Sequence, residues 1–317
     1  MSSVTQTIAT PSSAQTVRRG GTARLARDYS ELIKARVTTL IIVTAWCGCY
    51  FAALKSDVAS LSWTLLHALL GIGLVSAGTA AMNEVLERDL DALMRRTARR
   101  PLVTHSMSVA HASIASLLMI LGGSMYLAIA TNLLTASLTF ATSVVYLAAY
   151  TPLKKVAPIC TFVGAFPGAM PPLLGWTAIR GRLDWEAVVL FAIVFFWQFP
   201  HFHSIALLYR EDYERAGIRM LPVVEKDGRS TARDILLYSV ALIPATLAPT
   251  LLGMAGKVYF AGALLLGMVL FRFSLRIWQA KLAPSDPSSK VQARQLLQAT
   301  VFYLPLLFAL MMIDGAA

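Results

Sequence analysis

The chain has 317 residues, of which 56% are hydrophobic and only 14% are charged, whereas an ordinary soluble domain carries about 25% charged residues. The net charge of +11 would suit a nucleic-acid-binding protein, but the basic residues lie between long apolar runs. This placement favours a membrane protein with basic loops over a nucleic-acid-binding protein. The 3 cysteines are too few for a disulfide framework.

The first 36 residues are rich in Ser, Thr, Arg and Gly and contain no apolar core, so they do not form a secretory signal. We expect residues 1–30 to be a disordered basic arm and residues 31–317 to form one membrane domain. A transit peptide is the competing interpretation of the arm, because it is basic and has no acidic residue before Asp28.

Nine apolar segments follow, and a helix of about 20 residues is long enough to cross a bilayer. We therefore predict an all-α integral membrane protein with nine transmembrane helices around a central cavity. The segments lie at 37–54, 62–86, 108–130, 133–150, 158–178, 187–208, 234–254, 257–276 and 296–314.

The basic residues predict the orientation of these helices. If the N-terminus is cytoplasmic, every Lys and Arg falls on the cytoplasmic side except Lys55, Arg180, Arg182 and Lys257. Such an asymmetry is the positive-inside pattern of membrane proteins. The C-terminus would then lie outside.

The second apolar segment ends in a row of polar residues. Asn83, Glu87 and Asp91 are spaced by four, so they share one face of a helix. Oxygen ligands of this kind suit Mg²⁺, which neutralises a diphosphate leaving group. The alternative is an ordinary solvated helix end with an Asp91–Arg95 pair. A carboxylate at a helix centre in the membrane costs about 2.5–3.5 kcal/mol, which favours the functional interpretation.

Two further groups of polar residues lie on the same predicted side. A cluster of arginines follows the acidic row within reach of a diphosphate, and Asp212 and Tyr209 follow the sixth segment, where they could provide a second carboxylate and a phosphate contact. A charged cytoplasmic loop is the alternative for the second group. The arginines are Arg95, Arg96, Arg99 and Arg100.

These stretches resemble a known family. The spacing of Asn83, Glu87 and Asp91 resembles the first aspartate-rich motif of the UbiA-type intramembrane prenyltransferases. Residues 88–102 and 197–222 resemble the branch of that superfamily that farnesylates haem, as does the Tyr-Thr-Pro-Leu-Lys-Lys run at 150–155. The family has Asp where this chain has Glu87.

The resemblance implies an enzyme that transfers the farnesyl group of farnesyl diphosphate to a vinyl group of heme B, with hydration, to give heme O. It implies a Mg²⁺ site formed by Asn83, Glu87, Asp91 and Asp212, with heme contact by His201. It further implies diphosphate binding by Arg88, Arg96, Arg100, Lys154, Lys155 and Tyr209.

The resemblance also implies a multi-pass protein of the cell inner (cytoplasmic) membrane, with the mitochondrial inner membrane as the alternative. The expected partners are the two substrates and the lipid bilayer, without nucleic acid. The same resemblance allows handover of heme O to a heme A synthase or to terminal oxidase assembly, for which the sequence itself contains no signal.

Two other functions remain open at this point. Prenylation of an aromatic quinone precursor would use the same chemistry. A secondary transporter would also have many helices, but transporters hold their key polar residues near the membrane midplane. In this chain the acidic residues cluster at one predicted membrane face, which argues against transport.

Overall fold

The computed structural model describes residues 13–56 and 62–315, and every regular element in them is helical. A π-helical turn, Val145–Tyr150, joins α5 to α6. The helices are α1 Ser13–Leu32, α2 Ala35–Ser56, α3 Trp63–Leu93, α4 Val109–Ala130, α5 Leu133–Val144, α6 Thr151–Leu153, α7 Cys160–Arg180, α8 Trp185–Leu208, α9 Arg210–Arg215, α10 Leu221–Val224, α11 Arg229–Leu251, α12 Lys257–Ala280 and α13 Pro287–Gly315.

Nine helical segments in the described part of the chain are long and apolar enough to cross a membrane. They are α2, α3, α4, the continuous unit Leu133–Leu153, α7, α8, α11, α12 and α13. This confirms the predicted all-α membrane fold and its number of spans. The orientation of the termini stays a prediction. The largest difference in boundaries is at α13, which begins at Pro287 rather than near residue 296. Next is α3, which continues to Leu93 rather than ending near residue 86.

The N-terminal segment contains a helix that packs against the membrane domain at its end. Residues 13–32 form α1, and residues 1–12 lie outside the described residues. Leu32 is fully buried together with Ala81 and Leu102, and Tyr29 packs against the same cluster. Tyr29 also hydrogen-bonds His111 of α4. The end of α1 is therefore held against α3 and α4, and the division into an arm at residues 1–30 and a membrane domain at 31–317 stays a prediction.

Local sequence signals fix several helix ends. The side chains of Ser62, Ser108 and Asn132 each accept a hydrogen bond from a backbone amide in the first turn of α3, α4 and α5, respectively. These residue types are strongly preferred as N-caps, because their side-chain oxygen satisfies an otherwise unpaired amide. At its C-terminal end, α7 stops at Gly181, which has a left-handed φ of 67°.

Helices α2 and α7 approach each other so closely that their backbones are in contact. A Cβ on Gly48 would overlap the carbonyl oxygen of Pro172, and one on Gly175 would overlap the carbonyl oxygen of Ala45. The thiol of Cys49 donates to the carbonyl of Gly175 across the same contact at 3.2 Å. Small residues permit such backbone contact between membrane helices.

Because Gly48 sits against backbone, we expect Gly48→Ala to destabilise the protein by about 1–3 kcal/mol through overpacking. Thermal unfolding in detergent measures this. Gly122→Ala on α4 is the matched control, since no atom lies within 4 Å of its added Cβ. Equal melting temperatures for the two variants would contradict the assignment of a close α2–α7 contact.

Candidate active site

The last turns of α3 carry the predicted row of polar residues on one buried face. Asn83 is 0% exposed, Glu87 is 7% exposed and Asp91 is 1% exposed. By contrast, the side chain of Asp89 is 87% exposed. The spacing by four therefore separates the acids buried in the bundle from the acid that faces solvent, as helical periodicity requires.

Each buried acid of the predicted row faces one cation from elsewhere in the chain. Lys154 Nζ lies 2.7 Å from Glu87 Oε1, and an Arg100 terminal nitrogen lies 2.5 Å from Asp91 Oδ2. The alternative Asp91–Arg95 pair within one helix is not the arrangement found. The loop after α3 instead folds back so that Arg100 reaches Asp91. Charge-assisted pairs of this kind are among the strong hydrogen bonds.

A third cation at this face is Lys34. The sequence analysis did not identify it as a site residue and counted it only among the basic residues of the cytoplasmic side. Its Nζ donates to Asn83 Oδ1 at 2.6 Å, and Asn83 Nδ2 donates to Thr151 Oγ1 at 3.1 Å. Lys34 has a left-handed φ of 48° at the junction of α1 and α2. Burial, and then the nearby cations Arg100 and Lys154, lower the pKa of its ammonium group to about 7.

Glu84 is the second residue that the sequence analysis missed. It is 0% exposed, and neither carboxylate oxygen has a hydrogen-bond partner in the described part of the chain. The nearest charge is Arg100 Nε, 3.9 Å from Glu84 Oε2. A signal was present, since Glu84, Glu87 and Asp91 follow the 3–4 spacing that also defines one helix face. The spacing by four alone does not include Glu84.

The π-helical turn positions the lysine that pairs with Glu87. Thr151 Oγ1 donates to the carbonyl of Tyr146 at 2.9 Å, and the Tyr150 ring packs where a Cβ on Gly164 would be. Lys154 Nζ lies 4.5 Å from the centre of the Tyr150 ring, a distance typical of cation–π contact. Turns of this kind occur frequently at functional sites.

The second predicted group packs against the end of α3. Tyr213 of α9 lies in one buried cluster with Leu90 and Met94. The guanidinium of Arg96 stands 5.5 Å from the centre of the Tyr209 ring. The two groups that were separate in sequence therefore meet at the same end of the bundle. Asp212 itself pairs with Arg215.

The donor set suits Mg²⁺, because it consists of carboxylate and amide oxygens at a buried position. Nevertheless, no group of three or more His, Cys, Asp or Glu side chains in the described ranges stands ready to hold a metal ion. Glu87 and Asp91 are each engaged by a cation, and Asp212 by Arg215. A carboxylate offers about four lone-pair sites. The oxygens fit the ion in kind, and its binding would require them to change partners.

Three of the predicted substrate residues lie apart from this cluster. Arg88 is exposed and pairs with Asp89, and Lys155 is also exposed. The Nδ1 atom of His201 is 3.0 Å from Thr300 Oγ1 of α13, and its ring stacks on Trp197 at 4.6 Å between centroids. His201 therefore faces α13, not the buried acids.

Known proteins with similar sequences cover nearly the whole chain. The chain is 67% identical over 314 residues to a protoheme IX farnesyltransferase of Koribacter versatilis, covering 99% of each protein. It is 45% identical over 295 residues to a protoheme IX farnesyltransferase of Solibacter usitatus, covering 91% of this chain and 98% of that relative.

Solved structures share the fold at low sequence identity. A digeranylgeranylglyceryl phosphate synthase structure aligns with a TM-score of 0.75 at 14% identity, covering 92% of this chain and 98% of that one. A UbiA homologue from Archaeoglobus fulgidus bound to GPP and Mg²⁺ aligns with a TM-score of 0.60 at 16% identity, covering 90% and 99%. Residues 40–312 match the UbiA prenyltransferase family. This match confirms the resemblance found in the sequence motifs: the chain belongs to the UbiA prenyltransferase family.

Proposed function

We propose that this protein transfers the farnesyl group of farnesyl diphosphate to a vinyl group of heme B and adds water, giving heme O. The observation that carries the proposal is the buried acidic face of α3, with Glu87 and Asp91 each paired to a cation. The names of the relatives, protoheme IX farnesyltransferase, support the choice of substrates.

Asn83, Glu87, Asp91 and Asp212 would hold Mg²⁺, and a UbiA homologue of the same fold binds GPP together with Mg²⁺. When bound, the ion neutralises the charge that develops on a diphosphate leaving group. Glu has the same ligand oxygens as the Asp that the family has at position 87, on a side chain longer by one methylene.

The cations of the site would bind the diphosphate. Lys154 and Arg100 are the central pair, because they already contact the acidic face. Arg96 and Tyr209 reach the same end of the bundle through their mutual contact. Arg88 and Lys155 are exposed, so their part would be to attract the donor from the surface. Positively charged groups around a site raise the local concentration of an anionic ligand.

The reaction needs little covalent chemistry from the protein. The bond between the farnesyl carbon and the diphosphate oxygen breaks, and its electron pair leaves with diphosphate. The vinyl group forms a new carbon–carbon bond, and water captures the resulting cation with loss of a proton. The residues of this chain would position the two substrates, while the apolar surroundings exclude other water until that step. His201 would contact the haem, through its iron or a propionate.

The protein is a multi-pass membrane protein, since nine segments of the described chain can cross a bilayer. We place it in the cell inner membrane with the acidic face toward the cytoplasm, where the positive-inside pattern puts it. Its substrates would be heme B and farnesyl diphosphate, and a heme A synthase or terminal oxidase would receive the product.

We expect Asp91→Asn to lower formation of heme O at least about 100-fold, because loss of one preorganised charge in a buried site has an effect of this size. Purified full-length protein with heme B, farnesyl diphosphate and Mg²⁺ is assayed by chromatography and mass spectrometry of the haems. Asp89→Asn is the matched control, because Asp89 faces solvent, and it should retain activity. If wild-type protein leaves heme B unchanged, the haem assignment fails and aromatic acceptors are tested next.

The two adjacent lysines provide a second test. Lys154→Met should raise the KM for farnesyl diphosphate by about tenfold or more, because it removes a charge-assisted contact. Lys155→Met should change the KM far less, since Lys155 is exposed. Steady-state kinetics with varied donor at saturating heme B measures both. Equal effects of the two substitutions would contradict the central role given to Lys154.

A further inference from the structure

Glu84 is a buried acid that the proposed mechanism does not use. It lies one residue after Asn83 on α3 and is 0% exposed. Neither of its carboxylate oxygens accepts a hydrogen bond within the described ranges. A buried carboxylate without hydrogen bonds is costly. Because Glu84 lies within the proposed active site, we expect a state of the protein in which its carboxylate oxygens accept hydrogen bonds.

Arg100 is the group that can satisfy it. Arg100 Nε already lies 3.9 Å from Glu84 Oε2, while a terminal nitrogen of the same guanidinium holds Asp91 Oδ2 at 2.5 Å. Guanidinium has five N–H donors in a fixed fork, so it can hold a carboxylate through two parallel hydrogen bonds. A small rotation of one side chain would exchange Asp91 for Glu84 as its main partner.

Binding of Mg²⁺ gives a reason for this exchange. Asp91 is a ligand in the proposed function, and its oxygens cannot be held fully by Arg100 and by a divalent ion together. The ion has twice the charge of the guanidinium, so it competes well for the carboxylate. Once displaced, Arg100 is a half-buried cation that needs another counter-charge.

We propose that Glu84 is a positioning residue. It pairs with Arg100 when Mg²⁺ binds Asp91, and it thereby orients the guanidinium toward the diphosphate. This inference rests on the proposed function. Glu84 itself touches neither ion nor substrate in this scheme, because it acts through Arg100. Its negative charge favours the binding of Mg²⁺ by giving Arg100 a second carboxylate with which to pair.

The test is Glu84→Gln, which keeps the shape of the side chain and removes its charge. Full-length protein in detergent is melted with farnesyl diphosphate and without haem, so that no turnover occurs, at increasing Mg²⁺ concentrations. We expect the Mg²⁺ concentration that gives half of the rise in melting temperature to increase about tenfold, since Arg100 then stays on Asp91. Without Mg²⁺ the variant should melt no lower than wild type, because an unpaired buried charge has been removed.

Asp89→Asn is the matched control, because it removes the same charge from the exposed side of α3, and its Mg²⁺ requirement should equal that of wild type. In an Arg100→Gln background, Glu84→Gln should cause no further change, since effects that pass through one partner are not additive.

An unchanged Mg²⁺ requirement in Glu84→Gln alone would overturn the role of Glu84. So would a variant that melts well below wild type without Mg²⁺, which would make Glu84 a structural residue. If wild-type protein itself shows no Mg²⁺-dependent rise, it is the proposed metal site that fails.

Discussion

One constraint governs the rest of the structure: the membrane helix α3 buries several acidic side chains near its C-terminal end. Glu84, Glu87 and Asp91 are all less than 10% exposed on α3, and isolated charges in such a place are strongly unfavourable. Two of these acids are paired with cations from other segments, Arg100 from the loop after α3 and Lys154 after α6. Lys34, before α2, binds Asn83 on the same helix. These contacts connect segments far apart in sequence, so the charges of the proposed site also hold this end of the bundle together.

The arrangement also suits the proposed binding of a metal ion and a diphosphate. In the structure Glu87 and Asp91 are each paired with a cation. In the proposed function a metal–diphosphate complex would bring a divalent cation for the acids and an anion for Lys154 and Arg100, so Glu87, Asp91 and Lys154 would each exchange a protein partner for a ligand. Because the exchange replaces one set of ion pairs by another, it requires little rearrangement of the backbone. Preorganised charge of this kind is a general source of catalytic power.

Much of the fold and of the site could be predicted from sequence. A helix that crosses a bilayer needs a long apolar segment, and residues spaced by four lie on one face of a helix. The nine spans and the buried face of Asn83, Glu87 and Asp91 were predicted in this way. The pairing of Asp91 with Arg100 could not be predicted, since it depends on how residues 94–107 fold back. Lys34 and α1 were missed for a related reason: their positions depend on the packing of Tyr29 and Leu32 against α3 and α4.

The most direct test of this account is a structure of the full chain with Mg²⁺ and farnesyl diphosphate bound. We expect oxygens of Glu87 and Asp91 about 2.0–2.1 Å from Mg²⁺, with Lys154 and Arg100 turned to the diphosphate. The account would be contradicted if the diphosphate bound elsewhere while the Lys154–Glu87 and Arg100–Asp91 pairs stayed intact.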